Sequence, residues 1–213
     1  MELIRLGIRG EPVDYEGEAS RLKGAQLSCP PRRFYIPLYI AAIKPASLRL
    51  AGAIADGVFL SMPTSRSIGR ALSLAAEGAR ANARTSAGIH SVAYVFTALS
   101  EDGKTARASA RALVAYYGRL RHYRDLFRAE GFAREALVLE SCWQRNDAES
   151  ATRVVNDEML ARFSAAGTPR EVRRRIDELS STGLDEIVLY PCIAGGQTKE
   201  TVLAMIKTLG ACR

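Results

Sequence analysis

The stretch that most constrains this chain is Ile36 to Leu60, "IPLYIAAIKPASLRLAGAIADGVFL". Two short apolar runs flank a segment rich in alanine and leucine. The first run, Tyr35–Ala41, does not alternate apolar with polar. Such a run predicts a strand buried on both faces, as in a parallel sheet. Pro45 and Ser47 open a helix to about Ile54, "ADG" ends it, and Val58–Ser61 is the next strand. A strand, a crossover helix and a parallel strand form a βαβ unit, which closes with a right-handed crossover.

The alternation continues. Thr64 or Ser65 caps a helix to about Arg84, and Ser91–Ala98 is a third strand. Ser100 and Asp102 start a long helix to about Ala129. A helical region follows from about Ala133 to Ser141, then a loop over 143–150 and a helix from Ser150 to about Ala165. In "GTPREVRRRIDELSSTG", Thr168 is an N-cap, Pro169 sits at the first helical position and Glu171 completes a capping box. Val172, Ile176 and Leu179 share one face, and Gly183 stops the helix. "LDEIVLYPC" is a fourth buried strand, and "GGQTKETVLAMIKTLG" supplies the last helix. Upstream, Glu2 to Gly10 reads as the end of a helix closed by a glycine. Residues 11–35 read as an irregular connection with short strands around Val13–Tyr15 and Gln26–Ser28. The expectation is an α/β fold with four parallel strands alternating with helices, and no domain boundary within 1–213.

Composition narrows the function classes. The formal charge is +7, yet the arginines are interleaved with Ala, Glu and Leu along helical stretches, which reads as solvated helix faces rather than a nucleic-acid surface. Lysine occurs only at 23, 44, 104, 199 and 207. Cys29, Cys142, Cys192 and Cys212 form no CxxC pair, so no metal site is expected. No apolar run approaches the ~20 residues of a membrane span. The charged opening "MELIRLGIRGEPVDYEGE" does not read as a signal peptide. A cytoplasmic protein is expected.

Four stretches, in order, carry a resemblance: "IRLGIRGEPVDYEGE", "IPLYIAAIKPASLRLAGAIADGVFL", "VFTALSEDGKTARASARALVAYY" and "GTPREVRRRIDELSSTGLDEIVLYP". Together they resemble the bacterial luciferase-like oxidoreductases. These include flavin-dependent monooxygenases and coenzyme F420-dependent reductases related to methylenetetrahydromethanopterin reductase. The resemblance implies a (β/α)8 TIM-type barrel, which takes ~250 residues. It implies that residues 1–213 are a partial barrel domain holding the C-terminal half, with the N-terminal half absent. It implies FMN or coenzyme F420 as cofactor, with a small-molecule substrate. The reduced cofactor would pass a hydride or react with dioxygen. A half barrel leaves two strand edges and an apolar inner face open. A homo-oligomer or a complementing chain is therefore expected, and a non-catalytic remnant or interaction subunit is the alternative.

Chemistry in such barrels sits at the C-terminal ends of the strands. The first place this selects is Ala41, Ala42, Ile43 and Lys44. There backbone N–H groups and the helix opened by Pro45 can meet a cofactor phosphate. The family commonly has glycine where Lys44 stands and a basic residue where Ala46 stands. A plain turn with an exposed lysine is the competing reading. The second place is Leu60, Ser61 and Thr64, near where the resemblance puts the flavin ring; turn formation and helix capping compete. Thr97 and Ser100 follow the third strand, Ser100 being better read as a cap. Cys192–Thr198, with Gly195-Gly196, reads as a loop more than as an anion nest. His90, at a strand start, reads as structural. His122, Tyr116, Tyr117 and Tyr123 read as packing and surface. No acid–base constellation stands out.

Overall fold

The computed structural model describes residues 1–18, 20–29, 32–33, 35–192 and 198–210. Helix α1 (Glu2–Ile8) ends before Gly10, whose φ of 81° is the left-handed geometry of a helix stop. Strands β1 (Val13–Glu16) and β2 (Arg21–Ala25) then pair antiparallel. The second strand lies earlier than the expected Gln26–Ser28. Gln26 instead donates a side-chain hydrogen bond to the Gly10 carbonyl at 2.9 Å, tying the hairpin to the end of α1.

The main sheet begins with β3 (Tyr39–Ala41), then α2 (Pro45–Ile54), β4 (Gly57–Ser61), α3 (Ser65–Ala81) and β5 (His90–Leu99). Strand β3 is shorter than the expected Tyr35–Ala41 and is not buried on both faces. Pro37 has no N–H, and the Leu38 N–H goes to the Asp56 carboxylate at 2.8 Å, so the ladder starts only at Tyr39. Among the described residues β3 pairs only with β4, as an edge strand, and Tyr39 stays 40% exposed.

The expected single helix to Ala129 is two, α4 (Lys104–Tyr117) and α5 (Arg121–Ala129). They turn at Gly118–Leu120, where a Cβ on Gly118 would lie 3.0 Å from Leu139. Then come α6 (Ala133–Gln144), α7 (Ala148–Val154), α8 (Asp157–Phe163), β6 (Ser164–Gly167), α9 (Pro169–Ser180), β7 (Glu186–Pro191) and α10 (Thr198–Leu209). The expected helix from Ser150 to Ala165 is therefore α7, α8 and a strand. Asn156 interrupts it by capping α8, accepting from the Met159 N–H at 2.8 Å. The Thr168–Glu171 capping box of α9 forms as expected.

Among the described residues the sheet has five parallel strands, not four. Residues Val92–Tyr94 of β5 pair with both β4 and β7, and Phe96–Thr97 pair with both β6 and β7. So β7 takes one edge of β5, while β4 and then β6 share the other. The row β3–β4–β5–β7 runs in chain order without reversing, the winding of a β/α barrel rather than of a doubly wound sheet. β6 is the additional strand. It takes over the edge of β5 where β4 leaves it at Met62, a buried residue held at a φ of 50°. That left-handed backbone costs about 1 kcal/mol or more.

One sheet face, with Val58, Leu60, Ala93, Val95 and Leu189, packs beneath α2, α3, α9 and α10. The other carries Tyr39, Phe59, Tyr94, Phe96 and Tyr190. Here α4–α8 cover only the part around Phe96 and Ala98. Tyr94 and Tyr190 stack at 4.8 Å, yet Tyr190 remains 38% exposed. The inner face is thus an aromatic surface only partly covered.

The arginines are not all solvated helix faces. Arg84 donates to the carbonyls of Gly52 and Ala55, both at 2.7 Å, closing the end of α2. Arg124 donates to those of Gly118 (3.0 Å) and Arg119 (2.7 Å) at the end of α4. Arg111 reaches Val155 O and Arg175 reaches Arg162 O, each at 2.8 Å. Helix C-termini leave carbonyls without intrahelical partners. A planar guanidinium satisfies them across elements as an ammonium cannot, which gives the arginine-for-lysine bias a structural reason.

Candidate functional site

The C-terminal ends of β3 and β4 open onto two clefts that share the Ala42–Lys44 turn. The inner cleft, of about 490 Å³, is lined by Ala41, Ala42, Ile43, Lys44, Ser61 and Tyr123, with Ala46, Ser47 and His122. It lies on the aromatic side of the sheet. The outer cleft, of about 370 Å³, runs between α2 and α3 beneath α5 and has Leu48, Leu60 and Leu74 in its floor.

Six of the seven residues selected from sequence meet here. Ala41 ends β3. Ala42 is buried, and its N–H donates to the Phe59 carbonyl at 3.0 Å. Ile43 is half-buried between the clefts, and Lys44 is the exposed N-cap of α2. Leu60 faces the outer cleft only. Ser61 lines both. Thr64 lies apart: it is buried, and its hydroxyl accepts from the Ser67 N–H at 2.9 Å in a capping box that starts α3.

Thr97 does not face either cleft. Its side chain is fully buried on the helix-covered sheet face and donates to the Val95 carbonyl at 2.9 Å. Ser100 accepts from the Ala106 N–H at 3.2 Å, a cap as expected. His90 sits at the opposite end of the sheet, hydrogen-bonded to Tyr39 at 3.1 Å. Of the Cys192–Thr198 stretch, 193–197, including Gly195-Gly196, lie outside the described residues.

From sequence, His122 and Tyr123 of α5 read only as packing and surface. This helix brings His122, Tyr123 and Asp125 over the strand ends. The Tyr123 hydroxyl is 2.8 Å from the Ser61 hydroxyl. Burial pushes the Tyr123 phenol above its ordinary value, opposed by the Ser61 hydrogen bond. It therefore stays protonated at neutral pH and can donate. Tyr117 packs edge-on to Tyr123 at 4.8 Å and joins it to Phe96. Only the spacing of apolar residues along α5 was readable, and that indicates packing alone; the Ser61 contact spans 62 positions.

The electrostatics of the inner cleft favour an anion. Lys44 makes no side-chain cap on α2, and the first turn of α2 has no acidic residue. Asp125 lies 3.7 Å from the Lys44 ammonium and is also paired with Arg128 at 3.0 Å.

The luciferase-like monooxygenase family model matches residues 1–186. The chain belongs to that family. It is 31% identical over 193 residues to the 5,10-methylenetetrahydromethanopterin reductase of Archaeoglobus fulgidus, covering 88% of this chain and 57% of that protein. It is 29% identical to the corresponding reductase of Methanopyrus kandleri, covering 96% of this chain and 58% of that one. The solved structure of the coenzyme F420-dependent tetrahydromethanopterin reductase from M. kandleri superposes with a TM-score of 0.80 at 25% identity, over 96% of this chain and 59% of that one. An F420-dependent secondary alcohol dehydrogenase shares the fold, with a TM-score of 0.71 at 15% identity over 100% of this chain and 59% of that one. The chain thus spans less than two thirds of the length of each.

Proposed function

We propose that this chain forms one side, the C-terminal half, of the barrel of an F420- or FMN-dependent oxidoreductase, and that its inner cleft holds the phosphate end of the cofactor. One observation carries this reading. The Lys44 ammonium, the uncapped first turn of α2 and the Ser61–Tyr123 hydroxyl pair all face one cleft at the C-terminal ends of parallel strands. Backbone N–H groups at a helix start and a lysine are phosphate-binding chemistry. The donor set therefore fits the group. The relatives named as reductases favour F420 over FMN.

When bound and reduced, such a cofactor supplies a hydride to a substrate or, for a flavin, reacts with dioxygen. The chain's own part is positioning. Lys44 and α2 fix the anionic end. The Tyr123–Ser61 pair offers a neutral hydroxyl donor to the part of the cofactor above β4. The aromatic face formed by Phe59, Tyr94 and Tyr190 excludes water once covered. The strands that complete the cup lie outside residues 1–213.

Calorimetric titration of the full chain with F420, and separately with FMN, tests the reading. F420 is expected to bind weakly and Lys44→Ala to weaken it about tenfold, the loss of one charge-assisted contact. Turnover by the chain alone is expected to be absent. Unchanged affinity in the variant, or brisk turnover by a monomer, would overturn the proposal.

A further inference from the structure

The outer cleft has features that a phosphate site does not require. Its floor is apolar, formed by Leu48, Leu60 and Leu74 from the layer between the sheet and α2–α3. Arg66 and Arg70, one turn apart on α3, stand at its rim. The two carboxylates that also line it are already neutralised. Asp125 is held by Arg128 at 3.0 Å. Glu130, its side chain only 4% exposed, is paired with Arg162 at 3.5 Å. Among the described residues no carboxylate forms an ion pair with Arg66 or Arg70. The cleft therefore carries surplus positive charge over a greasy base, and its volume of about 370 Å³ suits a small molecule.

We infer that the outer cleft is a second binding site for a small amphipathic carboxylate, its head on the Arg66 and Arg70 guanidiniums and its apolar body on Leu48, Leu60 and Leu74. Planar guanidinium forks match a carboxylate. An apolar body displaces water from the floor, which neither a bare anion nor a sugar would do as well. The site does not depend on the cofactor reading, since it uses the opposite side of the Ile43–Lys44 turn.

Octanoate is the probe, titrated into the full chain and followed by calorimetry, with 1-octanol and inorganic phosphate as separate arms. Octanoate is expected to bind. The Arg66→Gln/Arg70→Gln double variant should lower its affinity about tenfold or more. Octanol lacks the charge and phosphate lacks the body, so each should bind far more weakly. Ala129→Trp, a filled rim position that leaves both arginines in place, should also block octanoate. A thermal melt matching that of the parent chain establishes that each variant is folded. No octanoate binding, undiminished binding by the folded double variant, or phosphate binding as tightly as octanoate would each overturn the inference.

Discussion

Gly78→Ala is expected to lower stability by about 3 kcal/mol, although alanine is the better helix former by about 1 kcal/mol. Helices α2 and α3 approach so closely that a Cβ on Gly78 would lie 1.9 Å from the Arg49 carbonyl oxygen. Reciprocally, a Cβ on Gly52 would lie 1.8 Å from that of Ala75. These are backbone atoms, so no side-chain rotation relieves the clash and the helices must part. Because α2 and α3 flank the outer cleft and α2 carries the Lys44 turn, the separation would reach both clefts. Gly69→Ala in the same helix is the control. A Cβ there meets nothing within 4 Å, so the variant should gain a fraction of a kcal/mol from helix propensity. Urea unfolding followed by circular dichroism measures both. A Gly78→Ala midpoint at or above that of the parent chain would mean that the two helices do not pack as described.

The second large effect is at Arg124. Its side chain is only 9% exposed; it holds two carbonyls at the end of α4 and pairs with Glu140 at 2.7 Å. Arg124→Ala leaves those carbonyls without their side-chain donor and Glu140 with only the longer Arg128 contact at 3.4 Å. Leaving two carbonyls at a helix end without their donor costs about 2 kcal/mol. Lysine should restore little, because a point charge cannot serve three acceptors in a fork. The effect should also reach the site. Arg124 anchors the start of α5, next to Tyr123, so the Ser61–Tyr123 contact should loosen with it. The phenol titration of Tyr123 reports that directly: with less burial it should fall toward the ordinary tyrosine value. An unchanged unfolding midpoint and titration would show the clamp to be idle.

How far the fold was legible follows from the kind of signal each element carries. The Thr168–Glu171 capping box and α2 are local, set by residues a few positions apart, and they appear where expected. β6 was missed because "SAAG" is short, has small side chains and runs on from a helix; only its pairing with β5 makes it a strand. The α4–α5 break was missed because Gly118 alone does not end a helix, whereas Arg124 and Leu139 holding the turn do. For the site, the rule that chemistry lies at the C-terminal strand ends located the Ala42–Lys44 turn and Ser61. It could not place Tyr123, Arg66 or Arg70, whose relation to the clefts exists only after α3 and α5 have packed. The short β3 shows the opposite error. An apolar run was read as a strand buried on both faces, when Pro37 and the Asp56–Leu38 hydrogen bond delay pairing and leave an exposed edge.

The central claim is that the cofactor phosphate binds at the shared ends of β3 and β4. Amide NMR shifts on titration with F420 test it most directly. The largest changes are expected at Ile43, Lys44, Ala46, Ser47 and Ser61, with little change around Asp56 and His90 at the opposite end of the sheet. Shifts centred on that opposite end, or none at saturating cofactor, would contradict it.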